Sequence, residues 1–479
     1  METSPLDNPS RCGSEKEALA SGQLDEPRTE HWRPSRFNAR VAVEEGGMIL
    51  WNSFTGAINY FDGKAEKAVL KLLSRRGFSS PDNGVAKYLH DRGYLVPEGT
   101  NEMRRVHLKF GERHYRTDVL ELILMSSEDC NFRCVYCYEN FKRGTMLPEV
   151  REGIKKMAER RAAEISTLRI GWFGGEPLYG WQAVEDLGPF FVELAERHGI
   201  TYTSHMTTNA YLLTPEVAEK LLAWKIRTFQ ITIDGAAEQH DCRRVGRDGS
   251  PTFARILENL RALKQRPEQY GVAIRVNFDR ESYREMEPFL QILSNDFKGD
   301  RRFSLDFHSI GAWGGPNDDA LALCGAKESK EATTMLTDWA VAKGLSVDTM
   351  SMSSGAGDQV CYAGRPYHFL IGADGKIMKC TVVLDTKDYN VLGRIREDGE
   401  MSVDMDKLAL WVEPAYASDR KCQKCQLVPT CQGMHCPLIR IEENRQPCPG
   451  YKNDLRSQLQ GVLRARREAL ARQAQAAEA

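Results

Sequence analysis

From about residue 117 the chain alternates short apolar runs with longer amphipathic ones. VLELILM, LRIGWF, ITYTSHM, RTFQITI, VAIRVNF and RFSLDFHSI read as six strands. LPEVREGIKKMAERRAAEI, WQAVEDLGPFFVELAERHG, TPEVAEKLLAWK, TFARILENLRALKQ and SYREMEPFLQILSN read as the helices between them. Strand–helix alternation at this spacing predicts right-handed crossovers and a parallel α/β sheet over 115–315, open or curled into a partial barrel. In either form, ligands sit beyond the carboxyl ends of the strands.

The flanks follow other patterns. Residues 1–34 are polar, with Pro, Ser and Gly scattered through them, and read as a disordered tail that holds the solitary Cys12. FNARVAVEE and GMILWNSFTGAINYFD read as short strands turning at Gly46-Gly47 and Thr55-Gly56. Ala65, Val69, Leu72 and Leu73 mark a helix stopped by Gly77, and Val85 and Leu89 share a face of a second helix after Pro81. Residues 35–105 are thus expected to form a winged-helix-like α+β domain, a module that binds DNA or pairs a peptide onto a strand edge. Beyond 316 comes a bridging helix region to 360, then a cysteine-dense stretch over 361–452. An exposed, fraying C-terminal helix is expected over 453–479.

Composition narrows the classes. The 479 residues are 41% hydrophobic and 28% charged, a globular profile with room for about three domains. Lys+Arg (65) and Asp+Glu (67) nearly balance, which argues against non-specific binding to nucleic acid or acidic membranes and favours a peptide for the N-terminal module. No run reaches the ~18 apolar residues of a membrane span, and no basic head precedes an apolar stretch as in a secretory signal. The expectation is a cytoplasmic protein in a reducing compartment. There its 13 cysteines bind metal or do chemistry more readily than they form bridges.

Cys130-Asn-Phe-Arg-Cys134-Val-Tyr-Cys137 follows the first strand directly, on a loop at the carboxyl end of the sheet. Three thiolates within eight residues can wrap one soft centre, iron–sulfur or zinc. A four-iron cubane held by three cysteines leaves one iron open, whereas a structural zinc wants a fourth protein ligand. The spacing, with Tyr136 before the last cysteine, resembles the radical S-adenosylmethionine (SAM) enzymes. In that family the three cysteines hold a [4Fe-4S] cluster, and SAM binds the open iron through its amino and carboxylate groups. Electron transfer then splits SAM into methionine and a 5'-deoxyadenosyl radical that abstracts hydrogen. The resemblance implies a partial (β/α)6 barrel. Gly174-Gly175-Glu176-Pro177, after the second strand, resembles the family's GGEP motif. There glycines permit close backbone approach and the carboxylate accepts the SAM ammonium protons. Asn209, in Thr207-Thr208-Asn209 after the third strand, and Asp234, in Asp234-Gly235 after the fourth, resemble further SAM-contacting sites, as do His240-Asp241 and Arg243-Arg244. Arg244 is expected to fork onto the SAM carboxylate.

Seven cysteines follow within about 90 residues: Cys361, Cys380, Cys422, Cys425, Cys431, Cys436 and Cys448. CxxC pairs also suit structural zinc. The order, with Gly375 five residues before Cys380 and then CxxCx5C, resembles the SPASM extension of peptide-modifying radical SAM enzymes. It departs from that pattern in the four residues between Cys431 and Cys436, where three are usual. The resemblance implies two auxiliary [4Fe-4S] clusters, making three in all. One is held by Cys422, Cys425, Cys431 and Cys448, and the other by Cys361, Cys380 and Cys436. The second lacks an obvious fourth cysteine, and Cys242 and Cys324 are the only other ordered candidates.

The function implied is maturation of a ribosomally made precursor peptide, with a thioether or carbon–carbon crosslink formed after hydrogen abstraction. Expected partners are that peptide with its leader and an electron donor such as flavodoxin or ferredoxin. The alternatives are an anaerobic sulfatase-maturating (formylglycine-generating) enzyme, or a non-catalytic iron–sulfur or zinc protein. Sequence assigns no general acid or base, although Asp306 and His308 stand near the sixth strand's carboxyl end.

Overall fold

The computed structural model describes residues 31–75, 78–79, 84–141, 143–347, 360–464 and 467. Cys12, Gly77, Pro81 and most of the expected tail lie outside them. Two compact units divide at Glu102.

In the first unit, strands Asn38–Ala42, Met48–Asn52 and Ile58–Phe61 form one antiparallel sheet. His31–Pro34 pairs with Phe78–Ser79 on one side and Leu95–Pro97 on the other. Helices Gly63–Leu73 and Gly84–Asp91 pack Val69, Leu72 and Leu89 against Trp32, Leu50 and Tyr94. The expected tail boundary is corrected here, because residues 31–34 are a strand. Burial of Trp32 and the two ladders offset the cost of ordering them. Arg33 Nη1 also pairs with the buried Glu102 at 2.7 Å.

The second unit is built on an eleven-stranded sheet. Its parallel centre comprises β1 (Val119–Ser127), β2 (Thr167–Gly174), β3 (Thr201–Thr208), β4 (Ile226–Thr232), β5 (Gly271–Phe278) and β6 (Phe303–Ser309). These lie in sequence order, with β7 (Ser346–Val347) beyond β6. β8 (His368–Ile371) pairs parallel with β1 on the other side, and β9 (Lys376–Met378), β10 (Val391–Ile395) and β11 (Met401–Val403) continue antiparallel from it.

β1 is apolar nearly end to end because both its faces are covered, as parallel strands require. Helix α1 (Pro148–Arg161) follows β1, and α2 (Trp181–His198) follows β2. α2 buries Val184, Leu187, Phe191 and Leu194 at helical spacing and ends on Gly199 in the left-handed conformation (φ 66°). α3 (Pro215–Ala223) opens with the Thr214 hydroxyl accepting from Val217 N. α4 (Phe253–Lys264) and α5 (Glu287–Phe297) complete the alternation, and α6 (Ala326–Ala342) precedes β7.

The stretch beyond 361 does more than hold cysteines, since it adds four strands to the sheet. The expected exposed C-terminal helix is also corrected: residues 455–464 are helical, but Leu459 is fully buried. Among the described residues, no helix is long and apolar enough to cross a membrane.

Candidate active site

One face of all six parallel strands lines a single cavity of about 620 Å³, through Ile123, Phe173, His205, Gln230, Arg275 and His308 in strand order. Six flat strands span about 24 Å at 4.8 Å spacing, so the sheet must curl to bring them round one space.

The loop after β1 carries Cys130, Cys134 and Cys137 to the cavity wall. A short antiparallel pairing holds it there: Phe132–Cys134 against Arg244–Gly246, with Cys134 opposite Arg244. Arg247 N donates to Asn131 O at 2.7 Å and Val135 N to Arg243 O at 2.9 Å. The three thiols are close enough to oppose one another's ionisation. Burial chiefly pushes all three up, Cys137 to about 12.

Gly174, Gly175 and Glu176 leave β2 beside this loop. A Cβ at Gly174 (φ 124°) would collide with the Ser127 carbonyl, and one at Gly175 with the Asp129 carbonyl. The glycines are thus needed for the approach of two protein loops. Glu176 is fully buried; its carboxylate accepts from Leu178 N (3.0 Å), Thr208 Oγ1 (2.6 Å) and Asn209 N (2.7 Å). Three of the roughly four acceptor positions of a carboxylate are used, leaving one toward the cavity. Burial pushes this carboxyl up despite those donors. The Asn209 side chain donates to Asn131 Oδ1 at 2.8 Å and lies 3.8 Å from Cys130 Sγ.

Tyr136 OH donates to Asp234 and accepts from Arg244 Nη1 (2.7 Å) and Asn277 Nδ2 (3.1 Å). Asp234 Oδ1 accepts from Asn277 N at 3.0 Å. Its carboxyl is raised by burial, with Arg244 opposing. Arg244 is held charged, and its buried Nε has no hydrogen-bond partner among the described residues.

Of the expected SAM-contacting residues, Tyr136, Gly174, Gly175, Glu176, Asn209 and Arg244 line the cavity. Asp234 and Pro177 stand behind the wall. Asp234 is fully buried under Tyr136, and Pro177 opens a turn whose carbonyl accepts from Ser126 Oγ. His240 is buried, its ring between Asp234 N and Thr252 Oγ1. Asp241 caps the Thr252 and Phe253 amides, and Arg243 pairs with Asp279.

The wall includes residues that sequence reading did not single out. Arg275 and Asn277 alternate on the inward face of β5, a period-two signal that could have found them. Glu139, pushed up to about 8 by burial and by Glu128, also lines the cavity, as do Tyr138 and Trp313. Tyr362 and Thr381 come from the cysteine-dense stretch, their hydroxyls 2.6 Å apart.

The later cysteines fall into two neighbourhoods. Cys361, Cys380 and Cys436 interact electrostatically with one another. Cys422, Cys425, Cys431 and Cys448 form the other set, with Cys448 Sγ 3.1 Å from Lys452 Nζ. Burial pushes Cys361 and Cys422 to about 12 and Cys431 to about 11. The exposed Cys242 donates to Gln239 O, and the charged neighbours of Cys324 are Glu328, Asp279, Arg280 and Arg284. Among the described residues, no group of three or more His, Cys, Asp or Glu is set to hold a single metal ion.

Residues 124–293 match the model of the Radical SAM superfamily. The chain therefore carries a radical SAM domain over those residues. The radical SAM cyclopropyl synthase TigE of Paramaledivibacter caminithermalis is 24% identical over 265 residues, 48% of this chain and 54% of TigE. The match therefore spans about half the length of that relative. The cysteine-type anaerobic sulfatase-maturating enzyme of Clostridium novyi is 24% identical over 345 residues, 65% of this chain and 86% of that enzyme. The solved structure of native anSMEcpe with bound AdoMet and Cp18Cys peptide aligns with a TM-score of 0.54 at 20% identity. It covers 74% of this chain and 99% of that one, a likeness of fold.

The superfamily implies a [4Fe-4S] cluster and SAM, and the residues present fit them. Three thiols share one wall, a carboxylate keeps an acceptor position beside them, and a buried guanidinium carries an unpaired N–H.

Proposed function

We propose that this chain is a radical SAM peptide maturase. The observation that carries the reading is the meeting of Cys130, Cys134 and Cys137 with Glu176, Asn209 and Arg244 on one cavity at the carboxyl ends of the strands. In this reading the three thiolates ligate a [4Fe-4S] cluster. Arg244 forks onto the SAM carboxylate, and Glu176 and Asn209 receive its ammonium group. When bound, the pair supplies a primary carbon radical that abstracts hydrogen from unactivated positions. Tyr136, tied to Asp234 and Asn277, fixes Arg244 in place.

Residues 361–452 act as a SPASM domain with two auxiliary [4Fe-4S] clusters, one on Cys422, Cys425, Cys431 and Cys448 and one on Cys361, Cys380 and Cys436. The grouping of those thiols into two neighbourhoods supports this. Residues 35–105 recognise the leader of a precursor peptide, consistent with short antiparallel strands in that unit. The core segment receives a thioether or carbon–carbon crosslink, with a flavodoxin- or ferredoxin-type protein supplying electrons in the cytoplasm. The peptide in the anSMEcpe structure supports a peptide substrate.

A second reading, formylglycine formation, draws on the relative from Clostridium novyi. Anaerobic turnover with SAM and dithionite separates the readings. Both release 5'-deoxyadenosine and methionine. A co-expressed precursor that loses two hydrogens and gains an internal linkage supports crosslinking, whereas conversion of a sulfatase-derived Cys or Ser peptide to an aldehyde supports the second. Absence of 5'-deoxyadenosine from cluster-loaded protein contradicts both.

A further inference from the structure

The two later cysteine sets are not equally placed. Tyr362 and Thr381, each next to a cysteine of the set Cys361, Cys380 and Cys436, line the proposed active-site cavity. The set Cys422, Cys425, Cys431 and Cys448 lies toward solvent. Cys448 is exposed, Cys422 and Cys425 are half-buried, and Cys431 is buried. Two backbone hydrogen bonds join the sets: Met434 N donates to Cys431 O at 2.7 Å, and Cys361 N to Met434 O at 3.0 Å. The inner set thus borders the cavity, and the outer set borders the surface.

The surface at the outer set is cationic. Cys422 sits in a short helix, Arg420–Lys424, and Cys425 follows it. Arg420, Lys421 and Lys424 are exposed, and none of these three side chains has an ion-pair or hydrogen-bond partner among the described residues. Lys452, also exposed, donates from Nζ to Cys448 Sγ at 3.1 Å. The adjoining acid, Asp419, is taken up by the helix start, where its Oδ1 accepts from Lys421 N (2.6 Å) and Cys422 N (3.1 Å). Arg420 and Lys424 stand four apart on the helix, where like charges repel. This arrangement does nothing for the fold. A cationic rim does, however, steer and orient a partner of opposite charge.

We propose that Arg420, Lys421, Lys424 and Lys452 dock an acidic electron-transfer protein in its oxidised form, which takes up one electron at the outer cysteine set. This rests on the two auxiliary clusters of the proposed function. Electron balance calls for such an acceptor. When the peptide loses two hydrogens, one leaves as a hydrogen atom to the 5'-deoxyadenosyl radical, which becomes 5'-deoxyadenosine. The other leaves as a proton, to solvent, and an electron, while the two peptide atoms bond to each other. That electron has to leave a cavity whose wall holds Tyr362 and Thr381, beside the inner cysteines. Passing outward, it reduces and reoxidises the inner and then the outer cluster by one electron each, and the docked partner ends reduced by one. A basic carrier is repelled by the same rim.

The test is isothermal titration of the anaerobically purified, cluster-loaded full chain with an oxidised acidic flavodoxin, and in parallel with basic cytochrome c. Saturable 1:1 binding of the flavodoxin is expected, weakening as salt rises from about 0.05 to about 0.5 M, with cytochrome c at least tenfold weaker. Lys421→Glu combined with Lys424→Glu should weaken flavodoxin at least tenfold with iron content unchanged. Should that variant lose iron, Lys421→Gln with Lys424→Gln removes the charge without reversing it and makes the same comparison. Stopped-flow transfer from the reduced chain to flavodoxin should slow at least tenfold in the charge variant, while transfer to a neutral quinone keeps the parent rate. Cys448→Ala should bind flavodoxin like the parent and pass the electron more slowly. Equal binding of cytochrome c, flavodoxin affinity unchanged in an iron-replete charge variant, or a quinone rate that falls in step overturns the docking face and leaves the clusters standing. Iron unchanged by Cys448→Ala overturns the outer cluster, and the docking proposal with it.

Discussion

Arg244 and Cys134 face each other across a two-stranded antiparallel pairing that joins the loop after β1 to the segment after β4. The pairing brings a guanidinium to the thiol loop although 109 positions separate the two residues (244 minus 134, less one). It also presents Arg244 Nη1 to Tyr136, two residues beyond Cys134. One contact therefore couples the proposed cluster loop to the proposed SAM carboxylate site.

Replacing Arg244 with Gln should leave iron content unchanged and weaken SAM. Loss of a charged, bidentate donor is worth about 1.5–3 kcal/mol, roughly 10- to 100-fold in affinity. Equilibrium dialysis with labelled SAM against cluster-loaded protein measures this. Unchanged affinity removes Arg244 from the carboxylate role.

Tyr136→Phe should cost about 1–3 kcal/mol, because it leaves buried Asp234 Oδ2 without its hydroxyl donor and Arg244 and Asn277 without their acceptor. Denaturant titration under argon reads the loss. A stability equal to the parent would mean that this network is not maintained.

Cys361→Ala and Cys448→Ala should each remove one auxiliary cluster and spare the other. Iron should fall from about 12 to about 8 atoms per chain in either variant. Cys242→Ala and Cys324→Ala should leave iron unchanged. Loss of all the iron from either auxiliary-site variant contradicts two separate sites.

The His114 imidazole is held at about 4, below the ordinary 6.5, chiefly by burial. Between those values the unfolded chain binds a proton that the folded chain refuses, so stability falls as pH drops from about 6.5 toward 4. At pH 5 the cost is roughly 2 kcal/mol. His114→Gln should therefore narrow the difference in melting temperature between pH 7 and pH 5. An unchanged difference assigns the acid sensitivity elsewhere.

Much of the fold was legible because the six central strands and their helices carry regular periods. VLELILM and LENLRALK differ plainly in spacing, the first apolar on both faces and the second on one, as β1 and α4 illustrate. Local spacing also exposed the cysteine loop and the Gly-Gly-Glu turn. What stayed hidden depends on distant pairing. β8 joins β1 through His368 opposite Glu121, and no local pattern signals a partner so far away. The Cys134–Arg244 pairing is three residues long, too short to show a period. Tyr362 and Thr381 reach the cavity wall only because β8 docks beside β1. At the N-terminus, polar composition masked a strand that one buried tryptophan, Trp32, anchors.

The account rests on Cys130, Cys134 and Cys137 holding a cluster that SAM touches. Low-temperature electron paramagnetic resonance of the dithionite-reduced chain, with and without SAM, tests it most directly. The prediction is a cluster signal whose g values shift when SAM is added, and its loss in Cys134→Ala while the remaining iron signals persist. A spectrum indifferent to SAM, or one that Cys134→Ala leaves intact, contradicts it.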